Sequence, residues 1–138
     1  MENNECLFCK IINGDIPANK VYEDAFILAF LDINPVSPGH TLVTPKKHSV
    51  NILDTDEDIL VKLSLATKKI SKAILDALDY EDFNLEVNNG KNAGQVIPHA
   101  HWHIIPRREG DGLKPWPHKE YKEGQANEVA DKIIKSII

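Results

Sequence analysis

The sequence of 138 residues lacks the features that would assign it to a membrane or secreted class. No apolar run approaches the roughly 18 residues that a membrane-spanning helix needs. The stretch from Met1 to Glu5 is polar and acidic, without the apolar core of a signal peptide. We therefore expect a cytoplasmic protein that does not associate with membranes.

Cysteine and positive charge are scarce as well. The only cysteines are Cys6 and Cys9, and in a reducing compartment such a Cys-x-x-Cys pair indicates metal binding or redox chemistry before a structural disulfide. The 16 lysines and arginines are outnumbered by 21 acidic residues, which gives a net charge of −5. Bulk electrostatics therefore do not favour nucleic acid as a partner, and any phosphate binding must be local.

The elements that are present predict a single α+β domain over residues 1–138. There is no internal repeat or long linker, and the hydrophobic content of 42% is ordinary for a chain with one core. Helices are expected at Cys6–Asn13, Thr55–Leu78 and Glu128–Ile138, with Asp54 or Thr55 capping the long one. Strands are expected at Lys20–Glu23, Phe26–Leu31, His40–Thr44, Phe83–Asn88 and His99–Pro106. Without βαβ regularity, these strands favour a mainly antiparallel sheet.

Three of the six histidines alternate along one expected strand, as His99, His101 and His103. Alternate residues of a strand face the same side, so the three imidazoles should line one face of the sheet. Solvent-exposed histidines on a sheet surface are the simplest alternative, but strict alternation inside an apolar strand is an improbable accident. Metal ligation, acid–base catalysis and nucleophilic attack all remain open, because neutral imidazole can perform each of them.

The polar loop Asn89–Gln95 precedes the histidine run. Its glycines, Gly90 and Gly94, would let backbone N–H groups converge on an anion such as phosphate. An ordinary turn is the alternative, and Lys91 is equally well explained as a solvated loop residue. Beside a strand of histidines, the loop indicates a phosphate held next to imidazole nucleophiles.

The run His99-Ala100-His101-Trp102-His103-Ile104-Ile105 resembles the signature of the histidine triad (HIT) family, in which histidines alternate with apolar residues. Further segments resemble its histidine triad nucleotide-binding (Hint) branch, of the bacterial zinc-bearing type. These segments are Cys6–Ile12, Gly14–Pro17, Ala29–Ile33, Pro38–His40 and Pro45–His48. The resemblance covers about residues 5–106 and implies a HIT-like fold, with a five-stranded sheet, one long helix and at least one short helix; residues 107–138 form an additional tail and helix.

The resemblance implies a purine nucleotide pocket and a hydrolase or transferase that acts at the α-phosphate. His101 matches the nucleophile, which forms a covalent nucleotidyl intermediate, and His103 matches a contact to the phosphate or leaving group. His99 completes the triad, and His40 matches a histidine behind it. The nucleotide would be bound by twelve residues of the base wall, the ribose site and the phosphate side: Phe8, Ile11, Ile16, Phe30, Asp32, Ile33, Asn88, Gly94, Gln95, Val96, His101 and His103.

The resemblance also implies a structural zinc ion held by Cys6, Cys9, His48 and His99, a closed set that leaves no open position for catalysis. Two cysteines without a metal are the alternative. A redox motif is disfavoured because its usual βαβ context is missing. The family further implies a symmetric homodimer whose sheets are joined across the subunits.

One departure from the Hint pattern concerns the leaving group. Val96 stands where that branch commonly has serine, which is thought to help protonate a departing amine. Phosphoramidates, acyl-adenylates and dinucleoside polyphosphates therefore all remain candidate substrates. A non-catalytic nucleotide sensor and a histidine-rich metal carrier are the competing functions.

Overall fold

The computed structural model describes residues 4–138 of the chain. Met1, Glu2 and Asn3, which belong to the acidic segment used in the signal-peptide argument, lie outside the described residues. Among the described residues, no helix combines the length and apolar composition that crossing a bilayer requires.

Within residues 4–138, five strands and three α-helices make up the fold, which confirms the predicted α+β class with one long helix. The helices are α1 Leu7–Ile12, α2 Glu57–Leu78 and α3 Gln125–Ser136. The strands are β1 Lys20–Glu23, β2 Ile27–Leu31, β3 Thr41–Pro45, β4 Asp82–Glu86 and β5 Trp102–Arg107. Two short 3-10 helices, Ile52–Asp54 and Lys91–Ala93, lie in the loops before α2 and before the histidine run.

The sheet has the order β1-β2-β3-β5-β4, with every neighbouring pair antiparallel. One face packs on α2 through a cluster that includes Ile27, Val43, Leu63 and Ile104. The opposite face packs on α1 through a second cluster, which includes Phe8, Cys9, Leu28, Phe30 and Leu42. Successive side chains of β2 and β3 enter the two clusters in turn, which explains why these strands are buried along nearly their whole length.

The long helix begins later than expected. Asp56 occupies its N-cap position without a side-chain cap bond. Asp54, one of the two residues predicted to cap it, instead accepts hydrogen bonds from the backbone N–H groups of Val50 and Asn51 and closes the preceding 3-10 helix. Asp79, with a φ of 57°, ends α2 in the left-handed conformation that terminates many helices.

The strand predicted from His99 begins at Trp102, so only His103 of the three histidines lies in regular β-structure. The expected alternation nevertheless holds, since Trp102 and Ile104 pack toward α2 while His101 and His103 face the α1 side. The final helix starts at Gln125 rather than Glu128, and it contains no buried residue.

Candidate functional site

A cavity of about 400 Å³ lies between α1 and the sheet face that bears the histidines. Its wall is almost entirely apolar, and the polar side chains that reach it are two histidines, one aspartate and one asparagine. The lining residues are Leu7, Phe8, Ile11, Ile16, Pro17, Ala18, Phe30, Leu31, Asp32, Ile33, Asn34, Leu42, Gly94, Val96, Ile97, His101 and His103. An apolar concavity with a few converging polar groups is typical of small-molecule sites.

Ten of the twelve predicted nucleotide-site residues line this cavity, and the exceptions are Asn88 and Gln95. Ile33 lies at the rim with 85% of its surface exposed. The sequence prediction omitted Leu42, although strand register could have revealed it. Leu42 pairs with Phe30 in β2 and with His103 in β5, so the three side chains share one face.

His101 is buried at the bottom of the cavity, and its ring orientation is fixed. Its Nδ1 lies 2.6 Å from the carbonyl oxygen of His99, and because a carbonyl can only accept, Nδ1 carries the proton. Burial lowers the pKa of His101, although the bond to His99 partly opposes this shift. The neutral ring therefore keeps its lone pair on Nε2, as an imidazole nucleophile requires.

A second hydrogen-bonded chain fixes the protons of His40 and His103. The backbone N–H of Val36 donates to Nδ1 of His40 at 3.1 Å, so in the neutral ring Nε2 carries the proton. That Nε2 lies 2.9 Å from Nδ1 of His103, and it donates to it. Burial lowers the pKa of both histidines. The remaining proton of neutral His103 is therefore on Nε2.

Asp32 stands beside this histidine pair at the end of β2. Its Oδ1 accepts a hydrogen bond from the backbone N–H of Asn34 at 2.8 Å, which holds the side chain in a turn. Its Oδ2 lies 3.7 Å from Nε2 of His40. The carboxylate also lines the cavity, where it offers an acceptor for the hydroxyl groups of a ligand.

Three backbone amides of the glycine loop, which the sequence suggested as anion donors, form hydrogen bonds within the loop. The N–H groups of Ala93 and Gln95 donate to the carbonyl oxygen of Gly90, and that of Gly94 donates to the carbonyl oxygen of Lys91. Gly94 has a φ of +89°, which a residue with a side chain rarely adopts. The glycine therefore closes the loop, while its α-carbon borders the cavity.

The side chain of Gln95, which the resemblance places at the phosphate side, also forms hydrogen bonds with this loop and its flanking segments. Its Oε1 accepts from the N–H of Gly90 at 2.8 Å, and its Nε2 donates to the carbonyl oxygens of Val50 at 2.6 Å and Ile97 at 3.0 Å. Asn88 lies next to the loop, because its Nδ2 is 3.8 Å from the point that a Cβ on Gly94 would occupy. Sequence spacing alone gives no signal for this inward use of a side-chain amide.

The four residues predicted to hold zinc converge at one point beside the cavity. The Sγ atoms of Cys6 and Cys9 and the Nδ1 atoms of His48 and His99 all lie within 4.8 Å of one another. Their separations are 3.4 Å for Cys6–His99, 3.4 Å for Cys9–His48, 3.6 Å for Cys9–His99 and 3.1 Å for His48–His99.

These distances fit a tetrahedral metal ion. At the usual zinc bond lengths, a sulfur and a nitrogen ligand lie about 3.6 Å apart and two nitrogens about 3.4 Å apart. Nε2 of His99 is 2.8 Å from the carbonyl oxygen of Pro45 and donates to it, which leaves the lone pair on Nδ1. Burial lowers the pKa of His99 to about 4, so the ring is neutral and ready to bind a cation.

A second group of metal-binding residue types, formed by Asp32, His40 and His103, does not fit a metal in the same way. Nε2 of His40 carries a proton, because its Nδ1 already accepts from Val36. That proton occupies the position from which His40 would have to donate a lone pair to a cation. We therefore assign this group to hydrogen bonding.

Comparison with known proteins gives a consistent result. Residues 13–110 match the family described as HIT domain. An adenylylsulfatase of Arabidopsis thaliana is 48% identical to this chain. The match covers 80% of this chain and 56% of that longer protein. An adenosine 5'-monophosphoramidase of Schizosaccharomyces pombe is 41% identical, covering 96% of this chain and 98% of its own.

Solved structures share the same fold. The crystal structure of a HIT family member from Bacillus subtilis superimposes with a TM-score of 0.89 at 42% identity, covering 99% of both chains. A zinc-bound histidine triad family protein from Mycobacterium smegmatis gives a TM-score of 0.76 at 34% identity, covering 96% of this chain and 97% of its own.

Proposed function

This chain belongs to the HIT domain family, and from that premise we propose that it hydrolyses purine nucleoside conjugates at the α-phosphate. The observation that carries the proposal is the state of His101, whose Nδ1 proton is held by the carbonyl oxygen of His99 while the ring lines the cavity. The relatives named adenylylsulfatase and adenosine 5'-monophosphoramidase support a nucleotide hydrolase. Transfer to an acceptor other than water is the same chemistry with a different second substrate.

The reaction proceeds in two steps that exchange bonds at phosphorus. The Nε2 lone pair of His101 forms a bond to the α-phosphorus, and the bond to the leaving group breaks with its electron pair going to that group. Water then forms an oxygen–phosphorus bond as the nitrogen–phosphorus bond breaks. The nucleoside monophosphate is released, and the proton that the water loses neutralises the leaving group or enters solvent.

His103 and His40 support this reaction without sharing the nucleophile's role. The Nε2 proton of His103 is donated to a phosphoryl oxygen or to the departing group, where negative charge increases in the transition state. His40 keeps His103 in that tautomer by donating to its Nδ1. Because Gln95 and the amides of the loop are engaged within the loop, we assign them to shaping the phosphate side of the cavity.

The base is held by shape and apolar contact. Phe8, Ile11, Ile16 and Phe30 form the deep wall of the cavity, with Ile33 at the rim. The purine stacks among these side chains, which offer no hydrogen-bond donor to distinguish adenine from guanine.

Asp32 binds the ribose hydroxyls through Oδ2, because its Oδ1 already accepts a hydrogen bond from the N–H of Asn34. We expect AMP to bind about 10-fold more tightly than 2′-deoxy-AMP, since a hydrogen bond to a charged group contributes roughly 1.5 kcal/mol. In Asp32→Asn this preference should fall to about 2-fold or less, because the amide carries no charge. Isothermal titration calorimetry measures both ratios. A full preference retained by the variant would remove Asp32 from the ribose site.

Val96 determines which leaving groups are used efficiently. The side chain is 85% exposed at the edge of the cavity and cannot donate a proton. An amine needs a proton to depart, whereas sulfate, carboxylate or a polyphosphate leaves as an anion. We therefore propose that adenylyl sulfate and acyl-adenylates are better substrates than phosphoramidates.

Val96→Ser should raise kcat/KM for adenosine phosphoramidate by about 10-fold or more, because the serine hydroxyl can donate a proton to the departing amine. This gain is smaller than the full rate enhancement that general acid catalysis can give. The value for adenylyl sulfate should change by less than about 3-fold, because that leaving group needs no proton. Val96→Ala is the matched control, since it shortens the side chain without adding a hydroxyl. Equal gains in the serine and alanine variants would contradict a role in proton donation.

A nucleotide sensor without catalysis is the second candidate, and it is favoured by the engaged loop amides, which supply no evident stabilisation of a developing charge. It predicts that AMP binds while phosphoramidate, adenylyl sulfate, acyl-adenylate and diadenosine tetraphosphate all remain intact. A purified sample incubated with this panel decides between the two functions.

We also propose that the Cys6, Cys9, His48 and His99 cluster holds one structural zinc ion. A Cys₂His₂ donor set with tetrahedral separations is characteristic of zinc. The ion would cross-link α1, the loop after β3 and the histidine run. Thiol ligands require a reducing compartment, which agrees with the cytoplasmic location that the sequence predicts.

A second copy of the chain is the proposed protein partner. The edge strand β4 and α2 border an apolar groove of about 550 Å³ that includes Leu75, Phe83, Leu85 and Trp102. Pairing of two β4 edges would join the sheets and cover this groove. Leu85→Lys should convert the dimer into a monomer in sedimentation velocity. Val21→Lys is the control on the opposite edge strand, because Val21 and Leu85 are both 49% exposed; equal behaviour of the two variants would contradict this interface.

A further inference from the structure

His99 makes three contacts that connect the metal cluster to the catalytic cavity. Its Nδ1 faces Sγ of Cys6 at 3.4 Å and Nδ1 of His48 at 3.1 Å. Its Nε2 donates to the carbonyl oxygen of Pro45 at 2.8 Å, and its own carbonyl oxygen accepts the Nδ1 proton of His101 at 2.6 Å. The residue is 0% exposed, so a movement at one contact must be transmitted to the others.

We propose that the metal centre positions the nucleophile, with His99 acting as a positioning residue in addition to its role as a metal ligand. The inference rests on the proposed function, in which His101 attacks phosphorus. A bound cation immobilises the His99 ring, the ring fixes the orientation of its backbone carbonyl, and the carbonyl selects the His101 tautomer whose lone pair is on Nε2.

The donor atoms themselves explain why the ion would matter. Two sulfur atoms and two imidazole nitrogens converge on one point in the cluster, and without a cation no bond joins all four donor atoms at these separations. Loss of the ion would free the His99 ring to move, because its Nδ1 is within 3.6 Å of all three other donor atoms and would no longer be bonded with them to one cation. The short bond from His101 to the His99 carbonyl oxygen would then lengthen, and the imidazole could populate its other tautomer.

A second restraint on His101 comes from the same metal-binding segment. Phe8 lies between Cys6 and Cys9 in sequence, and its ring packs edge-on against His99 at 5.9 Å and against His101 at 5.0 Å between ring centres. The His99 carbonyl and the Phe8 ring therefore connect His101 to a metal ligand and to the segment between two metal ligands, while His103 packs against its ring at 5.0 Å between ring centres.

The tautomer of His101 tests the inference directly. Long-range ¹H–¹⁵N NMR of protein labelled at histidine nitrogens distinguishes an Nδ1 proton from an Nε2 proton in every imidazole. Zinc-loaded wild type should show His101 with its proton on Nδ1. In Cys6→Ser, whose hydroxyl can still accept the cap bond from Cys9, we expect a mixture of tautomers and a fall in kcat of about 10-fold or more.

Ile74→Ala is the control for stability, because Ile74 packs on the other face of the sheet, away from the metal cluster. It should lower the melting temperature while leaving the His101 tautomer unchanged. A single Nδ1 tautomer in folded, metal-free Cys6→Ser would overturn the inference. Absence of turnover in zinc-loaded wild type would instead contradict the proposed function, and the tautomer comparison would still be valid.

A second measurement covers the case in which Cys6→Ser does not fold. Wild type loaded with Co²⁺ at the cluster should change its visible d–d absorption when AMP binds, because the coupling through His99 operates in both directions. In His101→Asn, AMP should bind with a smaller spectral change. Identical Co²⁺ spectra with and without AMP in wild type, at saturating AMP, would overturn the inference.

Discussion

Replacing His101 with asparagine should lower kcat for adenylyl sulfate and adenosine phosphoramidate by about four orders of magnitude. The asparagine amide can still donate to the His99 carbonyl oxygen, but it has no nucleophilic lone pair where Nε2 stands. AMP affinity should change by less than about 3-fold, because the apolar wall and Asp32 account for most of the binding. Steady-state kinetics and calorimetry on the same preparation measure both effects.

The control for that variant is His118→Asn, which makes the same exchange at an exposed histidine of the tail. We expect it to retain wild-type kinetics. If His101→Asn kept more than about a tenth of the wild-type rate on both substrates, covalent catalysis at His101 would be excluded, since removing a nucleophile costs far more.

Cys9→Ser should abolish metal binding and lower the melting temperature by about 10 °C or more, corresponding to a loss of roughly 3 kcal/mol in the free energy of unfolding. The serine leaves three donors, and its oxygen is a poorer ligand for zinc than a thiolate. Cys9 is buried and contacts both His48 and His99, so its loss opens the cluster at its centre. Differential scanning calorimetry with metal analysis measures the two effects together.

A chelator provides the matched comparison. It should lower the melting temperature of wild type toward that of Cys9→Ser and have little further effect on the variant. Metal below about a tenth of an equivalent in wild type purified without chelators would contradict a structural site, whose affinity should retain the ion.

Much of the fold follows from local sequence patterns, whereas the residues of the cavity were predicted from resemblance to a family. The apolar composition of β2, the β-branched residues of β3 and the spacing of apolar residues in α2 are local properties, so they predict these elements and the buried face of α2. The Cys6, Cys9, His48 and His99 cluster is brought together by segments far apart in sequence, and its prediction depended on resemblance to a family. The composition and spacing of a single segment cannot predict which distant residues it will meet in the folded chain.

The details that the sequence could not predict concern polar side chains that can form hydrogen bonds with more than one partner. Gln95 resembles a phosphate contact in sequence, yet its amide satisfies backbone groups of Gly90, Val50 and Ile97. Asp54 similarly caps a 3-10 helix rather than α2. In both cases the competing backbone donors and acceptors become neighbours only after the chain has folded.

The most direct test of the central claim is to look for the nucleotide on His101 itself. Wild type mixed with adenylyl sulfate and quenched in alkali within milliseconds should yield, by mass spectrometry of its peptides, one adenylyl group on the peptide that contains residues 99–103, at His101. His101→Asn should yield none. Hydrolysis of the substrate by wild type without any adenylylated peptide at early times, or with the group at His103, would contradict the account.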